Sequence, residues 1–297
     1  MDHLTLPRTG ASGEIATFGP VHLEVTHLER AIDFWCETAG LRLRKRNGAA
    51  ELGTAGETLV VLHPGAKRPA LRGFSGLYHI AIHVPDQAEF SRMLRRLIAS
   101  RTPISPVDHV MSKAIYLNDP DGLGIEFTLE TPERFGGYGT FETDFTVFDA
   151  EGRPCSGRSP LDVRHELAQA KGPPLSAPLA DAARIGHLHL HVPRIEAART
   201  FYTRLGFLPG AFAPQLGFAD LGAGGAYTHR IALNVWQGID APPAPAGVAR
   251  LRGFSIRFDT RARLDAALRG HDEVIVRGDQ YVLRDPAGTT LMLTAEA

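Results

Sequence analysis

Cysteine is nearly absent, with Cys36 and Cys155 the only two in 297 residues. Two thiols so far apart make neither a disulfide framework nor a CxxC metal or redox pair. Cys36 falls in a helical pattern and reads as a small buried residue. No apolar run approaches the ~18–20 residues needed to span a bilayer, so no membrane partner is expected. The start of the chain, MDHLTLPRTGASGEIATFGP, lacks the basic segment followed by an apolar stretch that marks a secretory signal. The expected location is therefore cytoplasmic. An excess of one charge is missing too: 32 Lys and Arg face 33 Asp and Glu, for a formal net charge of −1. With the basic residues scattered, there is no electrostatic footprint for nucleic acid.

What is abundant is histidine, with 13 residues, in a chain that is 43% hydrophobic and 22% charged. That composition and a length of about two ~150-residue units suit a globular protein. An internal repeat orders it. GPVHLEVTHLERAIDFWCETAGL (19–41) parallels GHLHLHVPRIEAARTFYTRLGF (186–207), each an alternating strand, a turn and an amphipathic helix ending at Gly40 or Gly206. GLYHIAIHVPDQAEFSRMLRRLI (76–98) matches RGFSIRFDTRARLDAALRG (252–270) in the same way. Each of this second pair is followed by a strand, an Asp-Pro-x-Gly turn and a last strand, AIYLNDPDGLGIEFTLE and QYVLRDPAGTTLMLTAE.

Four strand–helix–strand modules thus stand as 1–2, connector, 3–4. The predicted fold class is α+β, four βαβββ modules in two tandem domains whose curved mixed sheets enclose a cleft. The expected boundaries are 17–130 for modules 1 and 2, 131–184 for the connector and 185–297 for modules 3 and 4. The connector is too long for an ordinary loop and carries one short helical candidate, LDVRHELAQA. Trp35 and Tyr202 fall on helices and read as core. The glycines of LGAGGAY (221–227) suit a hairpin, since no following helix offers its N-terminus to a phosphate.

The modules, with strand starts YHIAIHV and GHLHLHV and a DPDGxxIE ending, resemble the vicinal-oxygen-chelate superfamily of glyoxalases, bleomycin resistance proteins and extradiol dioxygenases. GHLHLHV with a later THRIALNVW looks most like two-domain bacterial catechol 2,3-dioxygenase-like proteins. The most specific stretch is VDHVMSKAIYLNDPDGLGIE (107–126), which is similar to a recurrent extradiol dioxygenase motif at His109, Ile115, Tyr116, Asp119, Pro120, Gly122 and Glu126. By that resemblance Glu126 is an iron ligand, and His109 and Tyr116 contact substrate and oxygen. The alternation after the turn agrees, placing Glu126 and Thr128 on one strand face and Ile125 and Phe127 on the other.

A non-heme Fe(II) oxygenase site takes two imidazoles and one carboxylate on one side of the metal, leaving positions open. His79 stands at the family's first-strand ligand position, and His83, deeper on the same face, reads as a polar or surface residue. Module 1 carries Pro20 at the equivalent position and module 4 carries Gly253, with Met292 in the place of Glu126. Module 3 carries His187. The resemblance therefore implies the metal set His79, Glu126 and His187 if modules 2 and 3 share a cleft, with His22 the candidate otherwise. His189 and His191 lie further along the strand of His187.

The implied reaction is extradiol ring cleavage of a catechol-type aromatic diol with O2 and Fe(II), though the same ligands also suit Mn, Zn or Ni. The resemblance implies His229, in THRIALN, as the base, since a histidine at a like place before module 4 serves that role in the family, and a neutral imidazole suits proton transfer near neutral pH. Asn234 and Trp236 are expected to line the cleft and bind substrate. A homo-oligomer is compatible with the resemblance. Two other readings compete: a glyoxalase-like metal-dependent isomerase or lyase, which generally draws on four strand positions and often two glutamates, and a non-enzymatic resistance-type binding protein.

Overall fold

The computed structural model describes residues 13–139, 141, 145–271 and 273–296. Residues 1–12, part of the stretch read for a secretory signal, lie outside them. Module 1 comprises β1 (Ala16–Val25), α1 (Leu28–Asp33) running into a π-helical turn (Phe34–Thr38), β2 (Arg42–Asn47), β3 (Ala49–Gly53) and β4 (Thr58–Pro64). Module 2 comprises β5 (Gly76–His83), α2 (Gln87–Ala99), β6 (Ser105–Asp108), β7 (Ser112–Asn118) and β8 (Gly124–Glu130). The connector adds β9 (Phe135–Tyr138), β10 (Thr146–Asp149), β11 (Pro154–Ser156), β12 (Ser159–Pro160) and α3 (Val163–Ala168). Module 3 is β13 (Arg184–His191), α4 (Ile195–Arg204), β14 (Leu208–Ala213), β15 (Phe218–Gly222) and β16 (Ile231–Asn234). Module 4 is β17 (Arg250–Phe258), α5 (Arg261–Arg269), β18 (Ile275–Arg277), β19 (Gln280–Arg284) and β20 (Thr290–Ala295).

The helices start and stop where local chemistry dictates. Asp86 caps α2 by accepting from Glu89 N at 2.9 Å, and Thr260 caps α5 by accepting from Arg263 N. Gly40 and Gly206 leave their helices with φ of 81° and 100°, a conformation that costs other residues a Cβ clash. In α2 the buried Phe90, Met93, Leu94 and Leu97 recur at helical spacing and face the sheet. Trp35 and Tyr202 are fully buried, as their positions suggested.

The modules pair across the connector. One sheet runs β12-β6-β7-β8-β5-β13-β16-β15-β14, joining modules 2 and 3 through the antiparallel pair β5–β13. The other runs β18-β19-β20-β17-β1-β4-β3-β2, joining modules 4 and 1 through β1–β17. Each sequential half of the chain therefore gives one module to each sheet. A single apolar cluster spans both, with Phe18 of module 1 against Phe207 of module 3 and Phe254 of module 4. The connector forms a small sheet of β9, β10 and β11 and adds β12 to the edge of the module 2–3 sheet. Its helix α3 is tied to module 2, where Glu166 accepts from Lys113 Nζ and Gln87 Nε2, each at 2.6 Å.

Candidate metal centre and cleft

Three strands in the middle of the module 2–3 sheet build the site by plain alternation. On β5 Ile80 and Ile82 enter the core, so His79, Ala81 and His83 face the other way. On β8 Ile125, Phe127 and Leu129 enter the core, leaving Glu126, Thr128 and Glu130 opposite; on β13 Leu188 and Leu190 do so, leaving His187, His189 and His191. Ala81 pairs with Glu126 on one side and with His187 on the other. Its methyl group leaves the space into which the longer flanking side chains, and His79 from the same strand, converge.

His79 Nε2 lies 2.9 Å from Glu126 Oε2, His187 Nε2 lies 3.1 Å from the same oxygen, and the two nitrogens are 3.2 Å apart. All three residues are buried. Ligand bonds of about 2.0–2.2 Å at right angles give donor separations of about 3.0 Å, whereas a tetrahedral centre spreads them to about 3.4 Å. The triangle thus has the dimensions of one face of an octahedron. Two imidazoles and a carboxylate also make a donor set apt for a divalent transition metal, so the residues fit the group that the sequence implied. Glu126 Oε1 accepts from Thr128 Oγ1 at 2.8 Å, which fixes the carboxylate plane. Burial would push the Glu126 carboxyl up, but the adjoining His187 and His79 outweigh it and hold it well below the usual range. Burial drives the His187 imidazole well below its ordinary value, against the pull of Glu126.

A cavity of about 360 Å³ opens over this triangle. His229 faces it, its ring centroid 4.8 Å from that of His187. His229 Nδ1 donates to Asp220 Oδ2 at 2.7 Å, so its Nε2 carries the lone pair that points away from the carboxylate. Asp220 is itself locked, accepting from Tyr138 Oη at 2.9 Å and from Ala211 N at 2.5 Å. Gly210 makes room for it, since a Cβ there would stand 2.2 Å from Asp220 Oδ1. His109 is oriented the same way: Nδ1 donates to Gly157 O at 2.6 Å, which leaves Nε2 to accept from Tyr116 Oη at 2.8 Å. Burial lowers the His109 pKa, and burial followed by the charge of Glu126 raises that of Tyr116 well above 10.0, so both are neutral near pH 7.

The remaining wall is mostly apolar. Met111, Phe218 and Trp236 come from the sheet and its loops, and Tyr138, Phe141, Phe145 and Val147 come from the connector. Trp236, 46% exposed, stands at the rim with Nε1 donating to Leu216 O at 2.9 Å. Arg158 lies at the edge, its guanidinium 5.6 Å from the Tyr116 ring centroid.

The structure thus brings His79, Glu126, His187, His109, Tyr116, His229 and Trp236 to one cleft. Two expectations are corrected. Asn234 does not line the cavity: it is fully buried, and its amide lies between His191 Nδ1 at 2.6 Å and His189 Nε2 at 2.8 Å, so it acts on the wall only through His189. His83 is not a surface residue; it is 3% exposed and bonded to His187 and Glu130. His22 lies in the other sheet, 2.9 Å from His63, and takes no part in the triangle. Sequence reading also missed Asp220, Tyr138 and the connector's aromatic wall. Asp220 had a signal, as a carboxylate at the centre of the apolar strand FADLG; the connector residues had none, because nothing local says where a loop docks.

Comparison with known proteins agrees with the fold. A family model described as the Glyoxalase/Bleomycin resistance protein/Dioxygenase superfamily matches residues 17–127. A catechol-2,3-dioxygenase of Bacillus subtilis (strain 168) is 34% identical over 253 residues, covering 83% of this chain and 84% of that one. Among solved structures, a candidate dioxygenase from Bacillus subtilis subsp. subtilis str. 168 superposes with a TM-score of 0.59 at 16% identity, over 96% of this chain and 86% of that one. Glyoxalase I from Zea mays gives 0.54 at 17% identity, over 94% and 92%.

Proposed function

Because the chain belongs to the glyoxalase, bleomycin resistance protein and dioxygenase superfamily, we propose that it is an extradiol dioxygenase opening the ring of a catechol-type aromatic diol. The observation that carries this reading is the facial triangle of His79, Glu126 and His187 beneath a cavity that also presents His229, His109 and Tyr116. An Fe(II) held by the triangle would supply a Lewis-acid centre for the two diol oxygens and for O2, and Mn(II) could serve alike.

The protein's own groups do the rest. With Nδ1 engaged by Asp220, His229 turns Nε2 to the cavity and takes the diol proton there, which it can return later, with Asp220 stabilising the imidazolium in between. Tyr116, protonated and held at the cavity by its bond to His109, hydrogen-bonds the oxygen that gains charge once its single O–H turns from His109 Nε2 toward it. The apolar wall grips the ring and its substituents and excludes water. A glyoxalase-like isomerase is the second reading, favoured by the fold shared with the maize enzyme. It is weakened because one carboxylate alone enters the metal-ligand group among the described residues.

The test is anaerobic loading with Fe(II), then addition of catechol and O2. The expected result is about one metal per chain and a coloured ring-opened product. Stoichiometric metal without product across a panel of substituted catechols would overturn the reading, and metal content near zero would favour a binding protein.

A further inference from the structure

The sheet of modules 1 and 4 has a cleft of its own. Gly253 and Met292 line it, at the positions where module 2 carries His79 and Glu126, so the metal-ligating side chains are replaced. The cavity there is about 840 Å³, larger than the one over the triangle. Val282 and Met292, on the paired strands β19 and β20, give it an apolar floor. His22 and His63 also line it, with His22 Nδ1 2.9 Å from His63 Nε2.

Four arginines reach this cavity from four elements: Arg204 at the end of α4, Arg252 on β17, Arg277 on β18 and Arg284 on β19. Glu273 is the one carboxylate among its described lining residues. Among the described residues Arg204, Arg252 and Arg277 have no ion pair or side-chain hydrogen bond, and Arg284 donates only to Gly288 O at 3.4 Å. Neighbouring arginines that face elsewhere are paired. Arg250 and Arg257, on the same strand as Arg252, meet Glu24 at 3.2 Å and Glu57 at 3.1 Å, and Arg261 and Arg263 of α5 meet Asp265 and Asp259. Four guanidinium charges against one carboxylate leave an excess of three, and a concave wall of low dielectric focuses that field. The histidines add hydrogen-bonding capacity. Burial, His63 and then Arg252 push His22 down to about 4, and burial followed by Arg252 lowers His63, so both are neutral near pH 7. One of their two N–H groups is used between the rings, and the other is left to donate.

We propose that this cavity binds a small organic dianion, its carboxylate or phosphate groups against Arg204, Arg252 and Arg277 and its apolar part on Val282 and Met292. Guanidinium forks match the paired oxygens of either anion. A monoanion would leave most of the excess charge unmatched, and a neutral molecule would leave all of it. The site stands apart from the metal centre and from ring opening, since it shares no lining residue with the cavity over His79, Glu126 and His187.

Calorimetric titration of the purified 297-residue chain with phenyl phosphate, phthalate and benzoate tests this, since the three share a ring and differ in charge. At least one of the two dianions, phenyl phosphate or phthalate, should bind saturably and about tenfold or more tightly than benzoate. Whichever dianion binds more tightly identifies phosphate or carboxylate as the group recognised. Arg252→Ala/Arg277→Ala should weaken that binding about 10–100-fold, the scale of losing charge-assisted hydrogen bonds. Arg42→Ala/Arg95→Ala removes the same charge from exposed positions elsewhere and should leave binding nearly unchanged. All four of these arginines are exposed, so both proteins should fold, which circular dichroism checks. If the first double variant does not fold, Arg252→Ala and Arg277→Ala made singly decide. No saturable binding of either dianion at millimolar concentration would overturn the proposal, as would benzoate binding as tightly as both. So would binding that survives in Arg252→Ala/Arg277→Ala or falls equally in the control pair.

Discussion

Asp220 and Glu126 are both buried carboxylates facing one cleft, yet their partners give them different work. Glu126 meets two imidazole Nε2 atoms that have room for a cation among them. Asp220 meets a single imidazole and is satisfied by Tyr138 and Ala211, so it orients and does not ligate. Hence His229→Ala should lower kcat by about 10²–10⁴-fold with metal content unchanged, and Asp220→Asn should lower it by less. Steady-state kinetics beside elemental analysis would check both. A loss of metal in His229→Ala would show instead that this residue is a ligand.

At the scale of elements, the duplicated Asp-Pro-x-Gly turns are an internal control. Asp119 Oδ1 accepts from Asp121 N at 2.9 Å and Leu123 N at 2.8 Å, and Asp285 Oδ1 accepts from Ala287 N at 3.0 Å and Thr289 N at 2.7 Å. Each turn launches a last strand, β8 toward Glu126 or β20 toward Met292. Removing either carboxylate strands two buried N–H groups, at a cost of about 1–3 kcal/mol each. Asp119→Ala and Asp285→Ala should therefore both lower Tm. Only Asp119→Ala should also weaken metal binding, because only its strand carries a ligand. Equal metal affinity in the two variants would refute that difference.

Over the whole molecule, the metal triangle exists because β5 pairs with β13 across the connector. Residues 13–130 alone leave β5 with an open edge and β1 without β17. That fragment should bind metal no better than background, and coexpression with residues 131–297 should restore a complex with near-stoichiometric metal. Titration of the purified fragment and complex would measure this. Tight metal binding by residues 13–130 alone would mean that His22 or another group can complete the set.

The sequence alone determined the local half of this protein. Period-two alternation put Glu126 opposite Ile125 and Phe127, and the glycines closed the helices. The duplicated strand starts announced four modules and the identity of the donor side chains. These features depend on neighbours a few residues away, which the chain itself supplies. Tertiary structure alone decided the rest. Strand edges are chemically alike, so pairing of modules 2 with 3 and 1 with 4 depends on how the helices and connector bury apolar surface together. Pro20 and Met292 hinted at that pairing by exclusion. Nothing local placed His83 behind His187, turned Asn234 away from the cavity, or laid Phe141 and Phe145 over it, since each position is set by contacts formed across many tens of residues.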